Sequence, residues 1–482
     1  MAYRDLQDFI KALEARGELK RVTAEVDPVL EMTEIADRMV KAGGPALLFE
    51  HPRGSAYPVL LNALGSERRM ALALGVERLD DAGEDINDFL NMANYTSLPR
   101  AVRFAPRATR LLSVFPIRLP GRGACQQVVE REPDLTALPI LQCWPQDGGR
   151  FVTLPLVFTR DPDTGAQNVG MYRLQVYDRA TTGMHWHLHK DGRETYDKYR
   201  KLGGHMPVSV ALGCDPAVTY SATAPLPHGI DEMMLAGFLR RAPVTMVRSV
   251  TNDIWVPADA EYVLEGHVDV DEPLRREGPF GDHTGYYSLA DDYPVFHVEC
   301  ITHRRNPVYP ATIVGRPPME DAYLGKATER IFLPFLKTLF PEIVDINFPL
   351  EGVFHNCVVV SIRKRFPGQA RKVMHGLWGM GQMMYTKLIV VVDAELSPQN
   401  LSEVAWRAFN NIDARRDVVL DDGPLDALDH ASRLPHYGTR MGIDATRKGP
   451  DEGHDRPWPD DIVMSEEVRA LVDRRWRDYG LD

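Results

Sequence analysis

The apolar run Leu388–Val392 (LIVVV) is the feature that most restricts the fold of this chain. Branched apolar residues without polar alternation are typical of a strand that is covered on both faces, as in a parallel sheet. Before it, Gln369–Trp378 has helical spacing, and Cys357–Ile362 is a second candidate for a buried strand. Strand, helix and strand in this order predict a βαβ unit, and Ser397-Pro398 is expected to open a further helix.

The middle of the chain has a different pattern, in which strand-like runs alternate with turns. Leu154–Arg160 is followed by the turn Asp161–Gly165, and this turn leads into a second strand candidate, Asn168–Tyr177. Another turn, at 181–183, precedes the strand candidate Met184–His189. Hairpins of this kind predict an antiparallel region that forms a small barrel.

The two ends of the chain return to a mixed helix and strand pattern. Residues 3–16 carry apolar side chains at helical spacing, and a second helix is expected from Asp27-Pro28 to Gly43-Gly44. A last helix is predicted at 466–479. The predicted fold class is therefore α/β (α+β), with three domains over residues 1–115, 116–318 and 319–482.

Charge and composition restrict the function. The 482 residues carry a formal net charge of -12, so nucleic acid and anionic membrane surfaces are poor partners. A phosphorylated cofactor would need local arginine, lysine or a metal ion. The five cysteines form no CxxC pair, the start of the chain lacks an apolar segment, and no apolar run reaches about 18 residues. We therefore expect a cytoplasmic protein with reduced thiols and no membrane span.

The segment Asn168–Gln175 (NVGMYRLQ) is the densest polar stretch of the predicted barrel. Alternate residues of a strand share a face, so Met171, Arg173 and Gln175 are expected to point the same way. An arginine on an inner face needs a carboxylate or an anionic ligand. The alternative at this point is a surface strand with an exposed arginine.

Three histidines follow at alternate positions, His185, His187 and His189, and a strand would place them on one face. This pattern suggests a three-histidine metal site. The three would span roughly 13 Å along a strand, which is too far to share one ion without a bulge. One histidine acting as a ligand fits better, and polar decoration of the strand is the other alternative.

The segment Glu277–Tyr287 (EGPFGDHTGYY) contains three glycines and a proline, which predicts a shaped loop. Glu277 and Asp282 could converge on one site, where paired carboxylates near an arginine divide into an anchor and a proton carrier. A solvated acidic loop is the alternative. Lys387 lies at the expected N-terminal end of its strand, where the fold gives little reason for a ligand site.

Taken in order along the chain, these segments resemble the motifs of the UbiD family of decarboxylases, and the resemblance covers essentially all 482 residues. Several long motifs in one order are far more specific than any one of them. The matching segments are Asn168–Gln175, Met184–Gly192 (MHWHLHKDG), Pro207–Pro216 (PVSVALGCDP), Glu232–Gly237 (EMMLAG), Glu277–Tyr287, Gly315–Pro318 (GRPP) and Met384–Lys387 (MYTK).

The resemblance implies a cofactor and its ligands. Family members use prenylated FMN, which a separate flavin prenyltransferase makes, with a divalent ion, usually Mn²⁺, and often K⁺ at the flavin phosphate. The metal ligands match Asn168, His189 and Glu232. The cofactor pocket matches Met171, Tyr172, Arg173, His185, Trp186, His187, Lys190, Asp191 and Lys387. The family fold joins an α/β domain, a split β-barrel flavin domain and a C-terminal α/β domain, in homodimers or higher multiples of dimers.

The catalytic group of the family maps onto Arg173, Glu277 and Asp282, with Asp282 as the general acid. Loss of CO2 from an sp2 carbon leaves a carbanion that no side chain can stabilise, which fits a cofactor enzyme. Asp282 stands where cinnamate-type members carry Glu. This residue and the opening segment 3–9 resemble the quinone-pathway branch, which acts on a hydroxybenzoate or a dihydroxynaphthoate in ubiquinone or menaquinone biosynthesis.

Other readings of the sequence remain open. Within the family, the substrate is alternatively a phenolic or an acrylic acid. A zinc-dependent hydrolase built on the three histidines is a candidate of another class, and a flavin-binding module without catalysis is a third.

Overall fold

The computed structural model describes residues 3–91, 113–187, 190–227 and 229–481. Its N-terminal part is a small sheet with helices packed against it, in which three strands, β1 to β3, are joined at one edge by β20 (Tyr309–Pro310) in the order β1-β2-β3-β20. The buried face of the first helix consists of Leu6, Phe9, Ile10 and Leu13, as its spacing predicts. The elements are α1 (Leu6–Ala15), β1 (Leu19–Val26), α2 (Glu31–Lys41), β2 (Ala46–Pro52), β3 (Val59–Leu61), α3 (Glu67–Ala73) and α4 (Leu79–Asn91).

The second helix does not begin at Asp27-Pro28, so this prediction is wrong by several residues. The Asp27 carboxylate accepts a hydrogen bond from the backbone N–H of Val29 at 2.8 Å, which closes a separate turn. Leu30 then adopts a left-handed conformation with φ of 66°, and α2 begins only at Glu31. The aspartate therefore caps a turn that precedes the helix.

The central part is mainly antiparallel. Its largest sheet has the order β10-β19-β14-β11-β7-β8, with β5 paired to β19, and its end strands do not pair with each other in the described residues. The sheet is thus open, as in a split barrel. The elements are β4 (Ile117–Arg118), β5 (Val128–Glu130), β6 (Phe151–Val152), β7 (Leu156–Arg160), β8 (Gln167–Met171), β9 (Leu174–Gln175), β10 (Thr181–Gly183), α5 (Asp191–Leu202), β11 (His205–Leu212), α6 (Pro216–Ser221), α7 (Glu232–Arg240), β12 (Thr245–Arg248), β13 (Trp255–Pro257), β14 (Tyr262–Asp269), β15 (Arg275–Glu277), β16 (Phe280–Gly281), β17 (Tyr287–Ser288), β18 (Asp291–Tyr293), β19 (Val295–His303) and β20 (Tyr309–Pro310).

The predicted strand Met184–His189 is also wrong. β10 ends at Gly183, which pairs with Val295. The next position on the partner is Pro294, which lacks an N–H, so only the bond from Met184 N to Pro294 O (2.9 Å) continues the ladder. Residues 184–187 then run as an irregular segment, and His189 lies outside the described residues.

The predicted strand Asn168–Tyr177 is interrupted as well. It divides into β8 and β9, and Tyr172 and Arg173 lie in the gap between them. Arg173 therefore lies in a break in the sheet, so the alternation of side chains along a strand does not fix the direction of its side chain.

The C-terminal part is a five-stranded sheet in the order β21-β22-β23-β25-β24. β22 and β23 pair in parallel and are connected by α9, which confirms the predicted βαβ unit. The last predicted helix is shorter and continues as a 3-10 turn at 476–479. The elements are α8 (Glu320–Leu339), β21 (Ile343–Asn347), β22 (Cys357–Ile362), α9 (Gln369–Trp378), β23 (Leu388–Asp393), α10 (Leu401–Asn411), α11 (Ala414–Asp417), β24 (Val418–Pro424), β25 (Tyr437–Asp444) and α12 (Glu466–Arg474).

The apolar run on β23 is covered on both faces. Ile389 and Val391 join one hydrophobic cluster, and Val390 and Val392 join another on the opposite face. The helix after this strand begins at Leu401 rather than at Ser397, because Asn400 is its N-cap. Among the described helices, none is both long and apolar enough to cross a membrane.

The β23 core provides a test of the fold. Val391 is 0% exposed, so Val391→Ala should lower the free energy of unfolding by about 2 kcal/mol, through lost burial and a residual cavity. Urea denaturation followed by circular dichroism measures the change.

The matched control is Val463→Ala, because Val463 is 70% exposed in the C-terminal tail. It should leave the unfolding curve unchanged. Equal effects of the two substitutions would contradict the buried position of β23.

Candidate active site

The centre of the site is the side chain of Arg173, which binds two carboxylates. Its Nε and Nη2 atoms donate to the two oxygens of Glu277 at 2.8 and 3.1 Å, and Nη1 donates to Oδ2 of Asp282. The three side chains are almost completely buried. We call Arg173, Glu277 and Asp282 the ion trio, which the sequence predicts and the structure brings together.

The loop that carries both carboxylates is held by close backbone packing. Gly278 has φ of 90°, and its N–H donates to Oε1 of Gln175 at 2.7 Å. Arg173 and Gln175 therefore both contact this loop, although the predicted strand is interrupted at Arg173. A Cβ at Gly281 would lie 2.1 Å from Cδ1 of Trp144, so only glycine fits there.

Burial and charge determine the ionisation of the ion trio. Burial favours the neutral form of Glu277, but the hydrogen bond from His185 and the charge of Arg173 outweigh it and lower the pKa of Glu277 to about 2. Burial also opposes ionisation of Asp282, yet Arg173 and His283 hold its pKa well below the ordinary value. At neutral pH both carboxylates are ionised and share one guanidinium.

His185 and His187 extend the site behind Glu277. Nδ1 of His185 lies 3.0 Å from Oε2 of Glu277, and the Nε2 atoms of the two rings meet. Because an ionised carboxylate only accepts, we assign the proton of His185 to Nδ1, so its Nε2 accepts from His187. Burial, and then the charge of Arg173, lower the pKa of His185, which keeps the ring neutral.

Both ring nitrogens of His185 are therefore engaged by other side chains, and neither has a free lone pair for a metal ion. The segment that holds His185 and His187 is also not a strand. The hydrolase reading, which rests on three histidines aligned on one strand, has no support from this geometry.

A second polar group lies at the start of α7, where Glu232 meets Asn168 and Asp191. Nδ2 of Asn168 donates to Oε1 of Glu232 at 3.1 Å and to Oδ2 of Asp191 at 3.4 Å. The Oδ1 atom of Asn168 is buried and has no hydrogen-bond partner among the described residues. Two carboxylates beside an unpartnered amide oxygen fit a hard divalent cation.

Trp186 and Lys190 are two further residues that the sequence motifs assign to the cofactor pocket. Trp186 is buried under Gly192, where an added Cβ would lie 2.6 Å from its Nε1 atom. Burial lowers the pKa of Lys190, and the charges of Asp426 and Asp191 oppose this effect. Lys190 is the N-cap of α5, and a cationic side chain at the N-terminus of a helix fits the phosphate of a flavin nucleotide.

Lys387 comes from the C-terminal part and lies just before β23. Its Nζ atom contacts Oδ2 of Asp429 at 2.6 Å. The structure thus places this lysine beside the segment that carries Asp426 and Asp429, and its ion pair is with Asp429 rather than with a residue of the ion trio.

Three residues near the site were not identified from the sequence. They are His283, His355 and Asp426, whose ligand atoms all lie within 4.8 Å of one another. His283 directly follows Asp282 and could have been noticed in the same loop. His355 and Asp426 lie in separate segments without a motif, so no local signal points to them.

Family models cover most of the chain. The 3-octaprenyl-4-hydroxybenzoate carboxy-lyase N-terminal domain matches residues 10–86, the Rift-related domain of the same family matches 118–317, and its C-terminal domain matches 322–445.

Relatives and solved structures match along the whole length. Uncharacterized proteins of Archaeoglobus fulgidus and Aquifex aeolicus are 53% and 47% identical over 483 residues, with at least 99% of each chain covered. The closed form of the vanillic acid decarboxylase of Sedimentibacter hydroxybenzoicus has a TM-score of 0.85 at 28% identity and full coverage of both chains. The UbiD-class enzyme HmfF of Pelotomaculum thermopropionicum, in complex with FMN, has a TM-score of 0.81 at 30% identity, covering 98% of this chain and 100% of its own.

The three family models, the full-length relatives and the fold agree with the sequence motifs, so the chain belongs to the UbiD family and is a decarboxylase (carboxy-lyase).

Proposed function

We propose that the protein is a prenylated-FMN-dependent, non-oxidative decarboxylase of an aromatic carboxylic acid, and that the reaction is reversible in principle. The buried ion trio is the observation that carries this proposal, because a guanidinium shared by two carboxylates holds a proton carrier in place. The preferred substrate is a quinone-pathway hydroxybenzoate or dihydroxynaphthoate.

The cofactor is part of the proposal. Solved structures of HmfF contain FMN and, in an evolved dimeric form, prenylated FMN. When bound, prenylated FMN supplies the electron sink that no side chain offers. Asn168, Glu232 and His189 would hold Mn²⁺, with K⁺ nearby, and Lys190 would face the flavin phosphate.

The residues of the ion trio have separate roles in this proposal. As the bond between the ring carbon and CO2 breaks, a proton moves from the Asp282 carboxyl group to that carbon. Arg173 holds Asp282 in position and Glu277 holds Arg173, so the proton donor has a fixed geometry. Asp282 is ionised in the resting site, and it must therefore receive a proton before each turnover.

The substrate class rests on two kinds of support. The aspartate at position 282 and the opening segment resemble the quinone-pathway branch, and the family description names an octaprenyl-hydroxybenzoate. A solved relative acts on vanillic acid, which is also a phenolic acid. Other phenolic acids, and acrylic acids, are the alternative within the family.

The proposal includes partners and organisation. A flavin prenyltransferase supplies the cofactor, and the chain forms a homodimer or a higher multiple of dimers in the cytoplasm, with three domains at 1–115, 116–318 and 319–482. An evolved form of HmfF is dimeric, which supports the oligomeric part.

The first test combines spectroscopy and a substrate screen. Protein co-expressed with a flavin prenyltransferase should carry prenylated FMN by absorbance and mass spectrometry, together with manganese. It should release CO2 from members of a panel of hydroxybenzoates and dihydroxynaphthoates, and less from cinnamate.

Glu232→Gln is the companion variant, because it removes one charge from the proposed metal site. It should fold and lose manganese. A wild-type protein that is colourless, contains zinc and releases no CO2 would disprove the proposed function.

The role of Asp282 is tested by Asp282→Asn, which keeps the side-chain shape and removes the transferable proton. Turnover should fall by at least about 100-fold, as for loss of a general acid, while cofactor content remains unchanged. CO2 release and the flavin spectrum are measured on the same sample.

Asp163→Asn is the matched control, since Asp163 lies in an exposed turn. It should behave as wild type. Full activity of Asp282→Asn would exclude the general-acid role.

Arg173→Met tests whether the guanidinium neutralises the two buried carboxylates. At pH 7.5 the substitution should lower the free energy of unfolding by about 3 kcal/mol, because it leaves buried charges without a partner. In wild type the lowered pKa of Glu277 gives stability that is present above the ordinary carboxyl pKa and lost as the pH falls toward about 2. In the variant, the pKa values of the two carboxyl groups rise, and protonation removes their unpaired charge as the pH falls. The difference in unfolding free energy between wild type and variant should therefore be smaller at pH 5 than at pH 7.5.

Urea denaturation at the two pH values measures this difference. Arg21→Met, which removes an exposed ion-pairing arginine, should show no comparable pH dependence. A loss for Arg173→Met that is equal at both pH values would contradict the proposed charge balance.

A further inference from the structure

A chain of hydrogen bonds begins at Asp282 and leads away from Arg173. The backbone N–H and the Nδ1 atom of His283 lie 2.8 and 2.9 Å from Oδ1 of Asp282. The Nε2 atom of His283 lies 2.8 Å from Nε2 of His355. We call His283 and His355 the histidine pair.

The segment that carries His355 packs closely against His283. Val353 and Phe354 both adopt left-handed conformations, with φ of 46° and 53°, which bulky residues rarely do. Gly325 of α8 leaves room for this loop, since a Cβ there would lie 2.4 Å from Cβ of Phe354. The Phe354 ring stacks on His283 with centroids 4.9 Å apart. Backbone strain of this kind is typical of functional segments.

The ionised carboxylate of Asp282 determines where His283 carries a proton. The ionised carboxylate only accepts, so Nδ1 of His283 carries a proton. When both rings are neutral, Nε2 of His283 then accepts from Nε2–H of His355. The Nδ1 atom of His355 is then unprotonated. It is buried and has no hydrogen-bond partner among the described residues, so it can accept a proton.

Charged groups from several elements face the far end of this chain. Asp426 and Lys190 act on His355, Asp321 and Asp426 act on His283, and Asp282 acts on both rings. Asp426 lies close to both rings and can stabilise an imidazolium on either of them. Both rings are partly exposed, with 14% of the His283 side chain accessible, so solvent borders the histidine pair although Nδ1 of His355 is itself covered.

We propose that the histidine pair and Asp426 form a proton relay that reloads Asp282 after each turnover. This inference rests on the proposed function, in which Asp282 gives its proton to the substrate carbon. The relay residues act through Asp282, because they hold or transfer the proton that it receives.

The relay balances in protons and needs no redox partner. A proton from water binds Nδ1 of His355, the Nε2 proton of His355 moves to Nε2 of His283, and the Nδ1 proton of His283 moves to Oδ1 of Asp282. One proton enters and one leaves to carbon. Both rings end in the opposite tautomer, and proton exchange with water restores them.

The same three residues offer the ligand set of a divalent metal ion, which is the competing interpretation. Two imidazoles bound to one tetrahedral zinc ion would place their nitrogens about 3.3 Å apart. The observed separation of 2.8 Å is that of a direct hydrogen bond, and Nδ1 of His283 is already bound to Asp282. The geometry therefore favours the relay.

The test uses the holoenzyme and the best substrate of the hydroxybenzoate and dihydroxynaphthoate panel. His355→Ala and His355→Gln should lower kcat by about 10-fold to 100-fold, a fraction of the effect of losing a general acid, with KM within about twofold. The solvent deuterium isotope effect on kcat should increase, because proton delivery becomes slower. Added imidazole should restore part of the activity of His355→Ala and none of that of His355→Gln, whose side chain fills the space.

The control is His375→Asn, which alters an exposed histidine on α9 and should match wild type in kcat, KM and isotope effect. Flavin absorbance and thermal midpoints show whether each variant is folded and loaded. If His355→Ala does not fold, the solvent deuterium isotope effect of His355→Gln tests the relay.

The possible results separate the two proposals. A wild-type holoenzyme that releases no CO2 from any member of the panel would overturn the proposed function and the relay with it. An active wild type whose His355 variants keep kcat and the isotope effect would overturn the relay alone. A stoichiometric metal ion that is lost in His355→Gln while manganese at Glu232 remains would also overturn the relay, in favour of a second metal site.

Discussion

The buried guanidinium of Arg173 is the interaction on which the rest of the site depends. It neutralises part of the charge on Glu277 and Asp282, which could not both remain ionised in the interior without it. It also connects the short segment between β8 and β9 to the loop that follows β15. The position of Asp282, the proposed proton donor, and the connection between these two segments therefore depend on the same interaction.

The site combines two opposite electrostatic problems. On one side, an arginine is shared by two carboxylates, and the pKa of each carboxyl group is lowered. On the other side, Glu232 and Asp191 approach the amide of Asn168, and burial raises the pKa of Glu232 to about 7. A cation at the second group would hold a phosphate in a protein of net charge -12. The histidine pair lies beyond Asp282, whose low carboxyl pKa would make resupply of the proton necessary in the proposed mechanism.

Sequence patterns predicted elements well where one local signal was sufficient. The run on β23, the strand β22 and the helix α9 lie where the apolar spacing predicted them. Predictions failed where one contact decided the boundary. Asp27 caps a turn instead of a helix, Asn400 instead of Ser397 caps α10, and Pro294 ends the pairing of β10. The first two contacts join residues two or three positions apart, where several neighbouring residues can act as the cap, and only Pro294 lies far along the chain from the strand that it ends.

The sequence by itself determined the fold class, the family, the acidic charge and the residues of the ion trio, because periodicity and ordered motifs are local and are written along the chain. Only the tertiary structure decided that His355 and Asp426 meet His283. The three residues come from separate segments, and their approach depends on how the C-terminal sheet packs against the central loop. Distances between such segments follow from packing of the whole core, which no short stretch of sequence specifies.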